Sequence, residues 1–256
     1  MLNLFRRSFA KAAEDTAPRV FSVGEGRRVY AIGDVHGHLK LLRDLIDAIA
    51  ADNEQRGAAE DIRLVLLGDL IDRGPESPGV IEAAIAMRDL WPGFACLKGN
   101  HEEVFLMALD GDVEAMGFFR RFGRDTLLSY GVAPEIVGGY DDAELQAATV
   151  AAVPRAHHDF LASLPSSLVI GDYLFVHAGI RPGVSLEEQD ARDLHWIRAD
   201  FLRSRVEHPY MVVHGHSITE FVDERPNRIG IDTGAYASGR LTAIGLEGTE
   251  RWYLST

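Results

Sequence analysis

The first hundred residues alternate between short apolar runs and longer segments with apolar residues at helical spacing. The runs RVYAIG, RLVLLG and FACLKG, which begin at Arg28, Arg63 and Phe94, are each of strand length. Between them lie residues 34–55 and 77–91, whose pattern predicts two helices. Strands that alternate with helices predict a parallel sheet with crossover helices. In such a sheet, ligands bind beyond the carboxyl ends of the strands.

The pattern changes after the third run. Residues from about 103 to 165 predict short helices broken by Gly and Pro, which we interpret as a helical cap inserted over the strand ends. The later runs are strand-like, and Gly171 with Asp172 predicts a two-residue hairpin between two of them. We therefore expect a mostly antiparallel second half. The predicted fold class is α/β, an α+β sandwich, with a flexible arm over residues 1–27 and a single domain over 28–256.

The composition limits the functions and partners that we expect for this chain. A chain of 256 residues with 46% hydrophobic content can bury a large core. The net charge of -13 argues against a nucleic-acid partner, because such proteins usually carry a basic face. A single cysteine, Cys96, excludes an intrachain disulfide and a thiolate cluster, so we expect a cytoplasmic protein. The apolar runs are too short for stable membrane insertion, and the N-terminal arm lacks a signal-peptide core.

Five predicted strands each end in a side chain of a type that binds metals. These are Asp34 with His36, Asp69, Asn100, His177, and the pair His214 and His216. Taken alone, Asp34 suits a helix N-cap, and His177 suits the core. Taken together, carboxylate, imidazole and amide oxygen suit a first-row metal, while the absence of thiolates argues against structural zinc.

The polar residues at these strand ends form five ordered motifs. The motifs are GDVHG (33–37), GDLIDRG (68–74), GNHE (99–102), HAG (177–179) and GHS (215–217). This set closely resembles the calcineurin-like metallophosphoesterases, and within them the branch of bacterial serine/threonine protein phosphatases. The resemblance extends from Arg28 to Trp252 and includes IDTGAYASGRLT (231–242). It implies the fold of that family, in which central β-sheets are flanked by helices.

The resemblance also implies two divalent metal ions, manganese first, with iron and zinc as alternatives. Asp34 and His36 would bind the first ion, Asp69 would bridge both, and Asn100, His177 and His216 would hold the second. The family ligand follows the glycine of GH, which favours His216 over His214, although a swap stays open. Such a pair of ions can share one hydroxide for in-line attack on phosphorus, without a phosphoenzyme.

The family resemblance suggests further roles. His101 would be the general acid, held charged by Asp72, and Arg73 and Arg198 would bind the phosphoryl group together with Asn100. Related enzymes sometimes place an arginine before GNHE, where this chain has Lys98.

The implied activity is that of a metal-dependent phosphomonoesterase acting on a phosphorylated protein or a small phosphoester. The alternative is a symmetrical dinucleoside tetraphosphate hydrolase. The segment 120–131 resembles the cap of small bacterial protein phosphatases and favours the first activity, whereas Phe118, Phe119 and Tyr130 could stack on adenine. The acidic charge and the absence of a GHxH motif disfavour a nuclease. A non-enzymatic binding module would have lost ligands, and every expected ligand is present.

Overall fold

A computed structural model of the protein describes residues 19–256. It contains two five-stranded sheets, ordered β10-β9-β1-β2-β3 and β4-β5-β6-β8-β7. The strands are β1 (Arg27–Ile32), β2 (Asp61–Leu66), β3 (Phe94–Cys96), β4 (Ser167–Ile170), β5 (Tyr173–Val176), β6 (Met211–His214), β7 (Asp223–Arg225), β8 (Arg228–Gly230), β9 (Thr242–Glu247) and β10 (Glu250–Ser255).

Helices flank both sheets. They are α1 (Leu39–Gln55), α2 (Ser77–Leu90), α3 (Asn100–Leu109), α4 (Val113–Phe122), α5 (Arg124–Ser129), α6 (Pro134–Val137), α7 (Asp142–Ala152), α8 (Arg155–Ala162), α9 (Ala191–Trp196), α10 (Ala199–Leu202) and α11 (Ala235–Ser238). The mixed α/β fold class predicted from the pattern is confirmed.

The first sheet explains why the strand-end residues meet. Strands β1, β2 and β3 are parallel, joined by α1 and α2, and their last residues are in register, with Ile32 opposite Leu66 and Leu66 opposite Cys96. The chain therefore leaves all three strands at one edge. Strand β9 joins β1 in antiparallel fashion, and β10 completes the sheet.

The second sheet differs in part from its prediction. The hairpin between β4 and β5 is present, with Gly171 at φ +58°, and β7 pairs with β8 in antiparallel fashion. However, β5, β6 and β8 are parallel to one another. The expectation of a mostly antiparallel second half is wrong for these three strands, because α9 and α10 form a crossover from β5 to β6, and the segment that includes β7 returns the chain to run parallel in β8. The parallel order brings the ends of β5 and β6 to the same edge as those of β1 to β3.

Strand alternation divides the core into layers. Val29 and Ala31 of β1 belong to the cluster between the sheets, with Phe175 and Val213 of the second sheet. The intervening Tyr30 and its neighbours on the other face pack under α1, α2 and the cap. Apolar residues of α9 and α10 cover the outer face of the second sheet. This period-two arrangement buries both faces of the central strands and leaves the strand ends free for polar groups.

Helices α4 to α8 lie between β3 and β4, in the region where the sequence predicts a cap. They pack onto α3 and α2, and the rings of Phe105 and Phe119 stack with centroids 4.7 Å apart. The first residues of α3 already belong to the strand edge, since the helix begins at Asn100.

The predicted N-terminal arm falls mainly outside the described residues, which begin at Arg19. Within residues 19–26, Phe21 and Val23 are buried in the core between the sheets, and Val23 N–H donates to Gly248 O at 3.0 Å. The described part of this arm is therefore packed. No helix within residues 19–256 combines the length and apolarity that a membrane crossing requires.

Candidate metal centre

The backbone at the strand edge adopts unusual conformations. Among the described residues, five non-glycine positions have positive φ: His36, Asp69, Asp72, Arg73 and His216. All five are residues that the sequence singled out. A left-handed conformation costs a non-glycine residue about 1–3 kcal/mol, and it persists only where the surrounding structure imposes it. These conformations therefore lower the stability of the fold, and they set the directions of the five side chains.

Asp69 lies at the centre of two groups of potential metal ligands. One group is His36, Asp69 and His101, and the other is Asp69, His177 and His216, with ligand atoms in each group within 4.8 Å of one another. Asp69 Oδ2 is 3.7 Å from His36 Nε2, and Asp69 Oδ1 is 3.4 Å from His177 Nε2. Each carboxylate oxygen thus faces a different group, as a bridging ligand requires.

Hydrogen bonds orient two of the imidazoles. His36 Nδ1–H donates to the carbonyl of Ile71 at 2.8 Å, and His177 Nδ1–H donates to that of Leu67 at 3.0 Å. Because a carbonyl can only accept, these bonds direct Nε2 of each ring towards Asp69. The Nε2 atom of His216 is buried without a hydrogen-bond partner in the described chain. Its other ring nitrogen, Nδ1, lies 3.2 Å from His177 Nε2 and is therefore the His216 atom next to the second ligand group.

Charge at the centre also favours cations. Burial lowers the pKa of His36 and of His216 to about 3, so both rings are neutral at pH 7 and have a lone pair to offer. Burial, followed by the like charges of Asp232 and Asp69, raises the pKa of Asp34 well above its usual range. Burial opposes a charge on His177, but the charges of Asp69 and Glu102 and the hydrogen bonds of the ring together outweigh it and raise the His177 pKa. The centre thus attracts positive charge, and its oxygen and nitrogen donors fit two divalent metal ions.

The remaining candidate ligands lie close to these groups. Asn100 Oδ1 is 3.0 Å from His177 Nε2, and Asp34 accepts the backbone N–H of His216 at 3.0 Å. His214 instead packs edge-on against Phe201 with ring centroids 5.1 Å apart, away from Asp69. The geometry therefore groups His216, rather than His214, with the other candidates.

His101 and Asp72 form a buried pair beside the centre. His101 Nδ1 is 2.5 Å from Asp72 Oδ2. Burial disfavours the charged imidazole, but Asp69 and the hydrogen bond to Asp72 outweigh it and raise the His101 pKa to about 9. This ring is therefore protonated at neutral pH, in contrast to His36.

Glu102 connects the second and third strand ends. Its buried carboxylate accepts backbone N–H groups from Asp69 and Leu70 at 2.8 Å and from Gly99 at 2.9 Å. In the sequence, Glu102 is only the last residue of the GNHE motif, which by itself assigns it no contact. In the structure, Glu102 fixes the turn that carries Asp69.

The two arginines lie at the accessible side of the centre. Arg73 is exposed, and its guanidinium carbon lies 4.2 Å from the centroid of the Tyr236 ring. Arg198 is exposed as well, and its positive charge contributes to the low pKa of His216. Lys98 instead donates to the carbonyl of Ala162 in the cap at 3.3 Å.

The aromatic residues of the cap are mostly engaged in packing. Phe119 is completely buried, and the Tyr130 hydroxyl lies 2.8 Å from His157 Nδ1. Phe118 is half-buried against Phe122, with centroids 4.6 Å apart. All three aromatic side chains considered for adenine stacking therefore have packing partners, and Phe119 is completely buried.

Sequence reasoning missed three residues of this centre. Asp232 lies beside Asp34, Tyr236 lies under Arg73, and Thr126 donates to Asp72. All three belong to segments that the family resemblance covers, IDTGAYASGRLT and RRFGRDTLLSYG, but no motif assigns them a role. Their importance depends on contacts between distant parts of the chain.

Comparison with known families agrees with the geometry. The profile of the calcineurin-like phosphoesterase family matches residues 27–242. The chain belongs to this family. The members of this family depend on two metal ions, and the resemblance to calcineurin-like metallophosphoesterases inferred from the motifs is confirmed.

Relatives of this calcineurin-like phosphoesterase differ in the activity their names give. A symmetrical bis(5'-nucleosyl)-tetraphosphatase of Dechloromonas aromatica is 33% identical over 60% of this chain and 44% of its own. Serine/threonine-protein phosphatase 1 of Salmonella typhimurium is 29% identical over 84% of this chain and 90% of its own. The chain thus spans about half the length of the tetraphosphatases it matches, and nearly all of the phosphatase.

Solved structures share the fold. A crystal structure of a protein provisionally named a diadenosine tetraphosphatase superposes with a TM-score of 0.61 at 21% identity, covering 93% of this chain and 96% of that one. A serine/threonine phosphatase of Saccharomyces cerevisiae gives 0.54 at 17% identity, covering 94% and 81%. At these identities the likeness concerns the fold alone.

Proposed function

We propose that this calcineurin-like phosphoesterase is a metal-dependent phosphomonoesterase of the serine/threonine protein phosphatase type. The observation that carries the proposal is the position of Asp69 between two groups of potential ligands, in the first of which His101 is held by Asp72. Two ions held by such groups would serve phosphoryl transfer, and a charged imidazole beside these groups would serve an ester whose leaving group needs a proton.

The proposed ligands are those expected from the motifs. Asp34, His36 and Asp69 would hold one ion, and Asp69, Asn100, His177 and His216 would hold the other, with manganese favoured over iron or zinc. When bound, the two ions would supply an activated water and neutralise charge on the phosphoryl oxygens. The protein's part is to keep His36 and His216 neutral and to direct the Nε2 atoms of His36 and His177 at Asp69.

The other residues bind the substrate and move a proton. Arg73 and Arg198 would grip phosphoryl oxygens, because a planar guanidinium matches them with two parallel hydrogen bonds. Asn100 would complete that contact. His101 would donate its Nε2 proton to the leaving oxygen, while its Nδ1–H remains bonded to Asp72. Direct attack by water then requires no covalent phosphoenzyme.

A symmetrical dinucleoside tetraphosphatase is the second candidate function. Its support is the 33% identity with the Dechloromonas aromatica enzyme. The phosphomonoesterase is favoured because the match with the Salmonella typhimurium phosphatase covers 90% of that protein. The structural partners of Phe119 and Tyr130 also leave fewer rings available to hold adenine.

One comparison of substrates separates the two candidates. Protein reconstituted with Mn²⁺ is given a phosphothreonine peptide and, separately, diadenosine tetraphosphate, and kcat/KM is measured for each. We expect the peptide to be preferred by about a hundredfold or more, a discrimination that a fitted polar site readily provides. The opposite preference, with two molecules of ADP as products, would establish the second candidate. Metal-free protein is the control, and inactivity of the Mn²⁺ form on both substrates and on p-nitrophenyl phosphate would refute both.

A further inference from the structure

A buried cluster of hydroxyl groups lies behind the His101–Asp72 pair. Asp72, Ser77 and Thr126 are all completely buried. Asp72 follows β2 and Ser77 begins α2, whereas Thr126 comes from α5 in the cap, 54 residues away from Asp72. The cap therefore places one polar side chain directly on the residue that holds the candidate general acid.

The hydrogen bonds of this cluster fix the orientation of its hydroxyl groups. Thr126 Oγ1–H donates to Asp72 Oδ1 at 2.6 Å, and the same oxygen accepts the backbone N–H of Asp72 at 2.9 Å. Because the one hydrogen of Thr126 is used, the Ser77 hydroxyl donates to Thr126 across the 2.9 Å that separates them. Thr126 thus forms hydrogen bonds with both the side chain and the backbone of Asp72.

These hydrogen bonds affect the orientation of the His101 ring. Asp72 Oδ2 bonds to His101 Nδ1 while Oδ1 bonds to Thr126, so the carboxylate is fixed at both oxygens. Asp72 also has a left-handed backbone, with φ +70°, which its neighbours must hold in place. Without Thr126, the carboxylate can rotate and the imidazole loses its fixed direction.

We propose that Thr126 is a positioning residue, which holds Asp72 so that His101 presents its Nε2 proton to the leaving oxygen. This inference rests on the proposed function, since it assumes that His101 is a general acid. It makes the cap part of the catalytic apparatus and not only a cover over it. No motif and no comparison assigns Thr126 a role.

The leaving group provides a selective readout. An alkoxide needs a proton as it departs, whereas p-nitrophenolate is stable enough to leave without one. Loss of a positioned acid therefore slows an alkyl phosphate much more than an aryl phosphate. A merely structural defect slows both to a similar extent.

The central experiment replaces Thr126 and measures kcat on glycerol 2-phosphate and on p-nitrophenyl phosphate with Mn²⁺. We expect Thr126→Val to lower kcat on the alkyl ester by about ten- to a hundredfold, because it leaves a buried carboxylate without one of its partners. On the aryl ester, the expected loss is less than about threefold. Thr126→Ser keeps the hydroxyl and should restore the activity on the alkyl ester.

The matched control is Thr149→Val. Thr149 is also a completely buried cap threonine, but its hydroxyl donates only to the carbonyl of Leu145, four residues earlier in α7. This variant should leave the ratio of the two rates unchanged. Thermal unfolding of each variant shows whether the cap is intact.

His101→Asn, measured on the same two esters, separates the possible failures. If it slows the alkyl ester selectively but Thr126→Val slows both esters equally or neither, the role of Thr126 is refuted and that of His101 stands. If His101→Asn is itself unselective, the general-acid assignment fails and the role of Thr126 fails with it. A selective loss in both variants, with rescue by Thr126→Ser, supports the inference.

Discussion

The strand edge and the cap place their side chains by different means. At the edge, the backbone itself is constrained, and close approaches leave no room for larger residues. A Cβ atom on Gly99 would lie 2.2 Å from Asp69 Oδ1, and one on Gly215 would lie 2.1 Å from Asp34 Oδ1. Only glycine lets these turns approach the carboxylates so closely.

The cap relies on apolar packing. Phe119, Leu127, Leu145 and Leu161 are completely buried in the cluster that joins the cap to α2 and α3. Such packing is sensitive to changes in side-chain volume. Substitutions at the edge should therefore change activity more than stability, and substitutions in the cap should do the reverse, with Thr126 as the exception.

The largest effect on activity should come from Asp69→Asn. This change removes the charge of the carboxylate that both ligand groups share, so we expect activity with Mn²⁺ on p-nitrophenyl phosphate to fall by at least about a thousandfold. Metal content measured by mass spectrometry should fall with it, whereas the unfolding temperature of the metal-free protein should hardly change. Asp44→Asn, on the surface of α1, is the control. A fully active Asp69→Asn enzyme would contradict the bridging role.

The opposite pattern is expected for Phe119→Ala. Removing a completely buried ring from the stack with Phe105 should lower the free energy of unfolding by about 3–5 kcal/mol. At a temperature where the variant is folded, KM for diadenosine tetraphosphate should stay unchanged. Phe122→Ala in the same helix is the control, because that ring is 56% exposed. A large rise in KM without loss of stability would instead indicate that Phe119 contacts substrate.

The smallest effect concerns Tyr236, which belongs to the edge but acts through a side-chain contact. Tyr236→Ala removes the ring beneath Arg73, and an exposed cation–π contact contributes about 0.5–1 kcal/mol. We expect KM for p-nitrophenyl phosphate to rise roughly two- to fivefold with kcat unchanged, as steady-state kinetics can test. Tyr236→Phe keeps the ring and should behave as the unaltered protein. An equal loss in both variants would show that the hydroxyl, and not the ring, matters.

The sequence by itself was enough for the three parallel strands of the first sheet and for the choice of candidate ligands at their ends. Runs of strand length separated by helical periodicity specify parallel strands, and parallel strands bring their carboxyl ends together. A residue directly after such a strand therefore has a predictable place, as for Asp34, Asp69 and Asn100. The family and its metal dependence followed from the same motifs, because their glycines and ligands are adjacent in the chain.

Only the tertiary structure decided which distant segments meet. It made β5, β6 and β8 parallel, separated His216 from His214, and brought Thr126 of the cap onto Asp72. The period of the apolar pattern indicates which residues of one element are buried. It does not indicate which face of another element will cover them. Contacts such as Thr126 to Asp72 and Tyr236 to Arg73 arise from the packing of whole elements, so they become visible only when the chain is folded.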